Sequence, residues 1–204
     1  MNRLIIVGAS GHGKVIADIA ELNEYSDIAF FDDNPNVKFC GKYAVIGRCS
    51  DADKYKDADF FVAIGNANIR KRIQTELIYS GLNIVSLIHP NAVVAKNVSI
   101  GAGTVVMAGA IINPDAKVGQ GCIINTCSSV DHDCIVGNFV HVSVGSHVAG
   151  TVKIGDNTWI GAGATVNNNI EITNDCMIGA GAVVVSDLTE SATYIGVPAK
   201  KKNS

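Results

Sequence analysis

The sequence predicts a two-part protein: a small α/β domain built on a Rossmann-like parallel sheet, followed by an all-β parallel solenoid of triangular cross-section. Two observations predict the solenoid. From Ile88 to Val184 every sixth residue is Ile or Val, seventeen positions in succession with no insertion. The fifth position of each six is restricted almost as tightly, to Ala, Cys, Ser, Thr, Val and a single Ile. A third observation, a strand–helix–strand–strand–helix–strand order ahead of the repeat, predicts the sheet. The boundary falls near residue 85, giving domains 1–85 and 86–204 of the 204-residue chain.

The α/β elements follow from local pattern. Leu4 to Val7 is a short aliphatic strand that ends in Gly8-Ala9-Ser10-Gly11-His12-Gly13. Lys14 to Asn23 has helical spacing of apolar residues. Ile28 to Phe31 is a second strand, running into Asp32-Asp33-Asn34-Pro35, and residues 36–56 carry little signal. Phe60 to Ile64 is a third strand, ended by Gly65-Asn66; a basic amphipathic helix over about 68–80 follows, stopped by Gly81. Asn83 to Ile88 is a fourth strand leading into the repeat. Ligands of such sheets sit at the carboxyl ends of the strands, where Ser10-Gly11-His12, Asp32-Asp33 and Gly65 fall. Glycines there admit a phosphate, and a following helix N-terminus favours it. Carboxylates after the second strand suit ribose hydroxyls or a base N–H. The order G-x-x-G-x-G is not the dinucleotide fingerprint, and the domain lacks a second half, which disfavours NAD. A plain tight turn would also explain the glycines.

A period of six fits neither an amphipathic helix nor an alternating strand. It fits short extended segments joined by corners, three to a coil, so that residues eighteen apart stack at the usual strand spacing of about 4.8 Å. The β-branched residue points inward and the small fifth residue fills the corner beside it. Cys122, Cys134 and Cys176 take that fifth position and read as small buried apolar residues. None of the six cysteines forms a C-x-x-C pair, which argues against a zinc site or disulfide framework and for a reducing cytoplasm. The hydrophobic fraction is 48%, the charged fraction 17% and the net charge −3, with no basic stripe, so nucleic acid is excluded as a natural partner. The apolar run at the N-terminus is too short for a signal peptide or membrane span.

This repeat resembles the hexapeptide-repeat acyltransferases, and the resemblance implies a left-handed parallel β-helix; period alone would not predict that hand. Within it, Asn125-Thr126-Cys127-Ser128-Ser129-Val130-Asp131-His132-Asp133-Cys134 is the most unusual stretch. His132 holds an outward third position between two carboxylates, as a general base would, although an ordinary surface histidine fits the spacing equally well. His141 lies half a coil further on, on the opposite side of the prism, so only a neighbouring subunit of a trimer brings the two together. Some hexapeptide proteins are gamma-class carbonic anhydrases with three zinc histidines; His132, His141 and His147 lack their H-x-x-x-x-H pair, and no metal is expected. A β-helix without activity is the remaining bland reading.

Taken together, GASGHG, FFDDN, FFVAIGN, the long run from Asn125 to Val166 with SSVDHDC and HVSVGSHVAG, and YIGVPAK are similar to one family along nearly the whole chain. It is the sugar acetyltransferase family that includes UDP-4-amino-sugar N-acetyltransferases of bacillosamine-type pathways and sialic acid O-acetyltransferases. The resemblance implies a homotrimeric, acetyl-CoA-dependent N-acetyltransferase acting on the C4 amine of a UDP-4-amino-4,6-dideoxy sugar. O-acetylation of a sialic acid, or a non-catalytic nucleotide-sugar-binding trimer, are the alternatives. By the same resemblance His132 is the base and Asp133, where these enzymes often have Glu, raises its basicity. His141 contacts acetyl-CoA, the Gly150 N–H bonds the thioester carbonyl, and Ala162 and Ala180 line the pantetheine arm. Ser10, Gly11 and His12 hold the nucleotide phosphates, and Asp32, Asp33 and Gly65 hold uridine. Lys200 to Lys202 would meet the CoA phosphates or form a solvated tail.

Overall fold

The computed structural model describes residues 3–202 and divides the chain into two compact units, Met1–Pro90 and Asn91–Ser204. The first unit contains β1 (Arg3–Val7), α1 (Gly11–Leu22), β2 (Asp27–Phe31), β3 (Phe39–Cys40), β4 (Tyr43–Gly47), a 3₁₀ helix (Cys49–Tyr55), β5 (Asp59–Val62), α2 (Ala67–Tyr79) and β6 (Asn83–Ile84). Its sheet runs β3-β4-β2-β1-β5-β6, parallel except for the β3–β4 hairpin. Both sheet faces are covered, so β1 reads as a continuous apolar run rather than an alternating one. Ile5, Val7, Phe31, Phe60 and Val62 pack under Ile73 and Leu77 of α2.

The expected elements are present with shifted edges. α1 begins at Gly11, so Gly11 and His12 form its first turn instead of a loop before it. Asn66 caps α2, its Oδ1 accepting the Ile69 N–H at 3.0 Å. The expected strand Asn83–Ile88 is split: only Asn83–Ile84 pairs with β5 before the chain leaves the sheet edge, and Leu87–Ile88 forms a separate strand. The hairpin in the uninformative stretch is an edge element; β4 alternates between half-buried and exposed, but its exposed positions hold the apolar Ala44 and Ile46, so the sequence shows no alternation of polarity.

The second unit is a three-faced parallel β-helix. One face stacks Val105–Val106, Ile123–Ile124, His141–Val142, Trp159–Ile160, Met177–Ile178 and Thr193–Ile195. The next stacks Val93–Val94 through Ser129–Val130 and His147–Val148 to Val183–Val184, and the third runs from Ser99–Ile100 to Glu171–Ile172. Each strand pairs in register with the one eighteen residues on, as in His141 with Trp159 and Val142 with Ile160. The first-position Ile and Val from Val106 to Val184 are buried and form one continuous core with the small fifth-position residues. In the first coil Val94 and Ile100 are only half-buried, as the outermost layer of a stack must be.

Two backbone rules hold the coils. The fourth position is left-handed in fifteen successive hexapeptides, from Asn97 (φ 66°) to Gly181 (φ 66°), a conformation that Gly, Asn and Asp accept with least strain. Phe139 and Thr151 adopt it as well, although bulky and β-branched side chains disfavour it. The second-position glycines serve close stacking: a Cβ on Gly101 would collide with the backbone of Gly119 and Gln120 in the next coil. A polar ladder climbs one corner. The Gln120 N–H donates to Asn138 Oδ1 at 3.2 Å, the Asn138 N–H to Asp156 Oδ1 at 2.7 Å, and the Asp156 N–H to Asn174 Oδ1 at 2.7 Å. Beyond Val184 the repeat ends; Thr193–Ile195 lies parallel on Met177–Ile178 and Lys200–Lys201 returns antiparallel to it.

Because the atoms facing Gly101 are backbone and cannot swing aside, Gly101→Ala is expected to destabilise the β-helix by about 1–3 kcal/mol. A fall in the thermal unfolding midpoint checks this; an unchanged midpoint contradicts it.

Candidate active site

The β-helix gathers its candidate residues on two different edges. His132 and Asp133 turn the corner between the second and third faces, and Gly150 sits directly above them, eighteen residues on. The turn is held from both neighbouring coils: the Asp133 N–H donates to the Pro114 carbonyl at 3.1 Å, and the Thr151 N–H donates to the His132 carbonyl at 2.9 Å. His132 is exposed, with Nδ1 2.8 Å from Asp133 Oδ2. That geometry places the ring proton on Nδ1 and leaves the Nε2 lone pair free, and the hydrogen bond to Asp133 holds the imidazole pKa above its usual value, with Asp131 adding to the effect. Gly150 is what gives the ring room. A Cβ there would lie 2.5 Å from His132 Nε2. The Gly150 N–H has no hydrogen-bond partner among the described residues, whereas its carbonyl accepts from Asn169 N–H and Thr151 Oγ1.

His141 lies on the first face, which ends in the corner that carries Ala162 and Ala180. Its ring stacks on Trp159 with centroids 4.8 Å apart, and Trp159 Nε1 donates to Ser143 Oγ at 2.6 Å. Asn125 settles the tautomer: its Oδ1 accepts the Thr126 N–H at 2.8 Å, so the group 3.0 Å from His141 Nε2 is its NH₂. Nε2 is therefore the acceptor, and His141 is neutral with its proton on Nδ1. The adjacent corner is bare. Ala162 and Ala180 are exposed, and a Cβ on Gly145, Gly163 or Gly181 would meet nothing within 4 Å. His132 with Gly150, and His141 with Ala162 and Ala180, thus occupy separate edges of the prism. Among the described residues no group of three or more His, Cys, Asp and Glu converges to hold a metal.

In the first unit, Ser10 precedes α1 with its hydroxyl making no capping bond, so the free N–H groups of the first turn face outward from the carboxyl end of β1. Asp32 ties this loop together: Oδ2 accepts the Ala9 N–H and Oδ1 the Asn34 N–H, both at 2.9 Å. Asp33 Oδ1 accepts the Cys49 N–H at 3.1 Å. Asp32 also lines an open cleft of about 240 Å³ with Asn34, Lys38 and Arg48. Gly65 leaves open space where a Cβ would stand.

Arg70 was not legible as a site residue from its place in a basic helix. It is 1% exposed, and its Nη1 donates to the Ile64 and Gly65 carbonyls at 2.7 and 2.8 Å, fixing the end of the β5 loop. Its spacing with Ile73, Gln74 and Leu77 is the signal that marks it as inward-facing. Burial first, and the Arg70 charge second, push the His12 pKa down to about 4, so His12 is neutral near pH 7. Its Nε2 is covered and has no hydrogen-bond partner among the described residues.

A β-helix of hexapeptides with an exposed His–Asp pair on one edge and a bare glycine–alanine edge on another defines an acyltransferase of the hexapeptide class, whose helix is left-handed. The comparisons with known proteins narrow it. Residues 3–77 match the model of the PglD N-terminal domain, and residues 151–186 the model of six bacterial transferase hexapeptides. The chain is 36% identical to the acetyltransferase domain of PglB from Neisseria gonorrhoeae, covering 99% of this chain and 100% of that one with a TM-score of 0.96. It is also 36% identical to PerB from Caulobacter crescentus, solved with CoA and GDP-perosamine, over 100% of this chain and 98% of that one, with a TM-score of 0.94. Among curated proteins it is 36% identical over 115 residues to UDP-N-acetylbacillosamine N-acetyltransferase of Bacillus subtilis; the match spans 53% of this chain and 52% of that protein, about half the length of each. The chain belongs to the hexapeptide-repeat sugar acetyltransferase family.

The His12 shift has a consequence for stability. Between its ordinary pKa of 6.5 and about 4, the unfolded chain takes up a proton that the folded chain refuses. Stability is therefore expected to fall as pH is lowered through that window, and His12→Asn should flatten the fall in thermal midpoint between pH 7 and pH 5. An equal slope in the variant contradicts it.

Proposed function

We propose that the protein is an acetyl-CoA-dependent N-acetyltransferase that acylates the C4 amine of a UDP-4-amino-4,6-dideoxy sugar, working as a cytoplasmic homotrimer. The observation that carries the reading is the division of the β-helix residues between two edges. The base edge, His132 with Gly150, and the bare edge, His141 with Ala162 and Ala180, form one site only when a second copy lays its bare edge against the first copy's base edge. A trimer about an axis parallel to the prism does this three times. The N-terminal unit holds the nucleotide: Ser10, Gly11 and His12 meet the phosphates at the α1 N-terminus, while Asp32, Asp33 and Gly65 border the uridine. Asp32 does so with its two oxygens already engaged by backbone N–H groups, so it offers remaining lone pairs rather than a free carboxylate. Six free cysteines suit the reducing cytosol in which acetyl-CoA and nucleotide sugars are made.

In the reaction the amine nitrogen attacks the thioester carbonyl carbon while His132 Nε2 accepts the amine proton. Asp133, bonded to Nδ1, stabilises the imidazolium that forms. The Gly150 N–H donates to the carbonyl oxygen as it gains negative charge. The C–S bond then breaks, the amide is released and CoA leaves as the thiol with the proton that His132 held. His141, held by the Asn125 amide and stacked on Trp159, borders the CoA arm. No covalent acyl-enzyme is needed.

The solved relative with GDP-perosamine supports a second reading, in which the carried nucleotide is a guanosine diphosphate. A thiol-release assay separates the two: CoA release with a UDP-4-amino sugar, none with GDP-perosamine and none with sialic acid is the expected result. Release only with GDP-perosamine overturns the uridine assignment; release only with sialic acid overturns N-acylation. His132→Ala should lower kcat by about 10²–10⁴-fold with little change in KM, and retained turnover removes His132 as the base. Light scattering should give three times the 21.3 kDa chain mass; a monomer with full activity contradicts the shared site.

A further inference from the structure

The base edge contains a second carboxylate that the mechanism above leaves idle. Asp131 Oδ1 accepts the His132 N–H at 2.7 Å and, from the coil below, the Asn113 Nδ2–H at 2.7 Å. Asn113 stands eighteen residues before Asp131, so the two share one column of the prism. We infer that Asp131, anchored by Asn113, is a positioning residue for the reaction: it pins the backbone of the His132 turn and supplies a second negative charge beside the imidazole. This rests on His132 being the base.

Three observations converge on it. Asp131 is half-buried, whereas His132 and Asp133 are exposed, so it is the member of the trio with a fixed place. The Asn113 hydrogen bond, then that of the His132 N–H, holds the Asp131 carboxyl below its ordinary range, so it stays ionised wherever His132 titrates. Its bonds also differ in kind from those of Asp133. Asp133 binds the ring itself, from a left-handed residue (φ 60°) that fixes where the carboxylate starts. Asp131 binds the backbone that carries the ring, and so controls where the ring starts. The other groups around His132 are Asn113, Pro114 and Asp115 in the coil below and Gly150 and Thr151 in the coil above. Of these only Asp115 carries charge, and it stacks under Asp133 rather than under Asp131. The two carboxylates that flank His132 therefore set its proton affinity, one through a hydrogen bond and one through charge at short range.

The test is the pH profile of kcat/KM for the preferred amino sugar. Activity requires neutral His132, so the acid limb reports its pKa. Asp131→Asn keeps the shape and removes the charge, and the limb should move down by about half a pH unit at low salt and by less at high salt. A profile that superimposes on wild type overturns the proposal, as does a loss of kcat with no movement of the limb, the mark of a purely structural residue. Should Asp131→Asn fail to fold, Asn113→Ala leaves the charge in place and removes its anchor; kcat should fall about fivefold at unchanged KM for acetyl-CoA, and unchanged kcat overturns the anchoring role. His132→Ala separates the two levels. If it is inactive while Asp131→Asn behaves as wild type, the base stands and the positioning role falls. If it is active, both fall.

Discussion

The close stacking of one backbone coil on the next governs everything in the β-helix. At the usual strand spacing, about 4.8 Å, the coils at second-position glycines such as Gly101 and Gly119 lie too close for a Cβ, and fifteen successive corners turn through left-handed residues. Those two demands make residues eighteen apart into neighbours along the whole prism. His132 therefore lies under Gly150, Asn113 under Asp131 and His141 under Trp159. The site is assembled by a translation rather than by a loop that folds back. Its precision comes from the ladder of backbone hydrogen bonds, which leaves a side chain at a corner little freedom except its own rotamer.

Three histidines show how environment divides one side chain into different roles. His132 is exposed and bonded to a carboxylate, so it holds a proton more readily than a free imidazole and releases its Nε2 lone pair to whatever lies above Gly150. His141 is fixed by the Asn125 amide and the Trp159 face into a neutral form with the proton on Nδ1. His12 is kept neutral by burial beside the Arg70 guanidinium. A proton acceptor, a ring fixed by its neighbours and a buried uncharged group thus arise from residues that are identical in the sequence.

The β-helix was legible almost completely because its rule is one-dimensional. Seventeen successive Ile or Val positions mark the repeat, fourteen of them buried in its core, and eighteen-residue arithmetic places His132 and His141 on different sides. The same arithmetic would have found Asn113 beneath Asp131 and Trp159 above His141, since each pair is one coil apart. The α/β unit was legible in its element order but not in its edges or its charges. β3 and β4 lie at a sheet margin where the outward positions of β4 hold the apolar Ala44 and Ile46, so the sequence does not alternate although the burial does. Arg70 was hidden by its residue type. An arginine on a basic helix reads as solvated, and only its position on the stripe of Ile73 and Leu77 says otherwise. Asp32 was legible as a polar group after a strand, but not as the tie between two loops, because that depends on where the Ala9 N–H points.

The polar ladder from Gln120 through Asn138 and Asp156 to Asn174 answers a problem that the core creates. An array of near-identical aliphatic steps has the same packing energy after a slip of one full coil, and nearly the same after a slip of one face. The hydrophobic interior drives collapse yet cannot count. Asn138, Asp156 and Asn174 each accept a neighbour's N–H on one corner only, so a slip of one face would set those N–H groups against Val144, Ala162 and Ala180 and leave the oxygens unmatched. The interior supplies the drive to fold, and a few side chains on the rim supply the address.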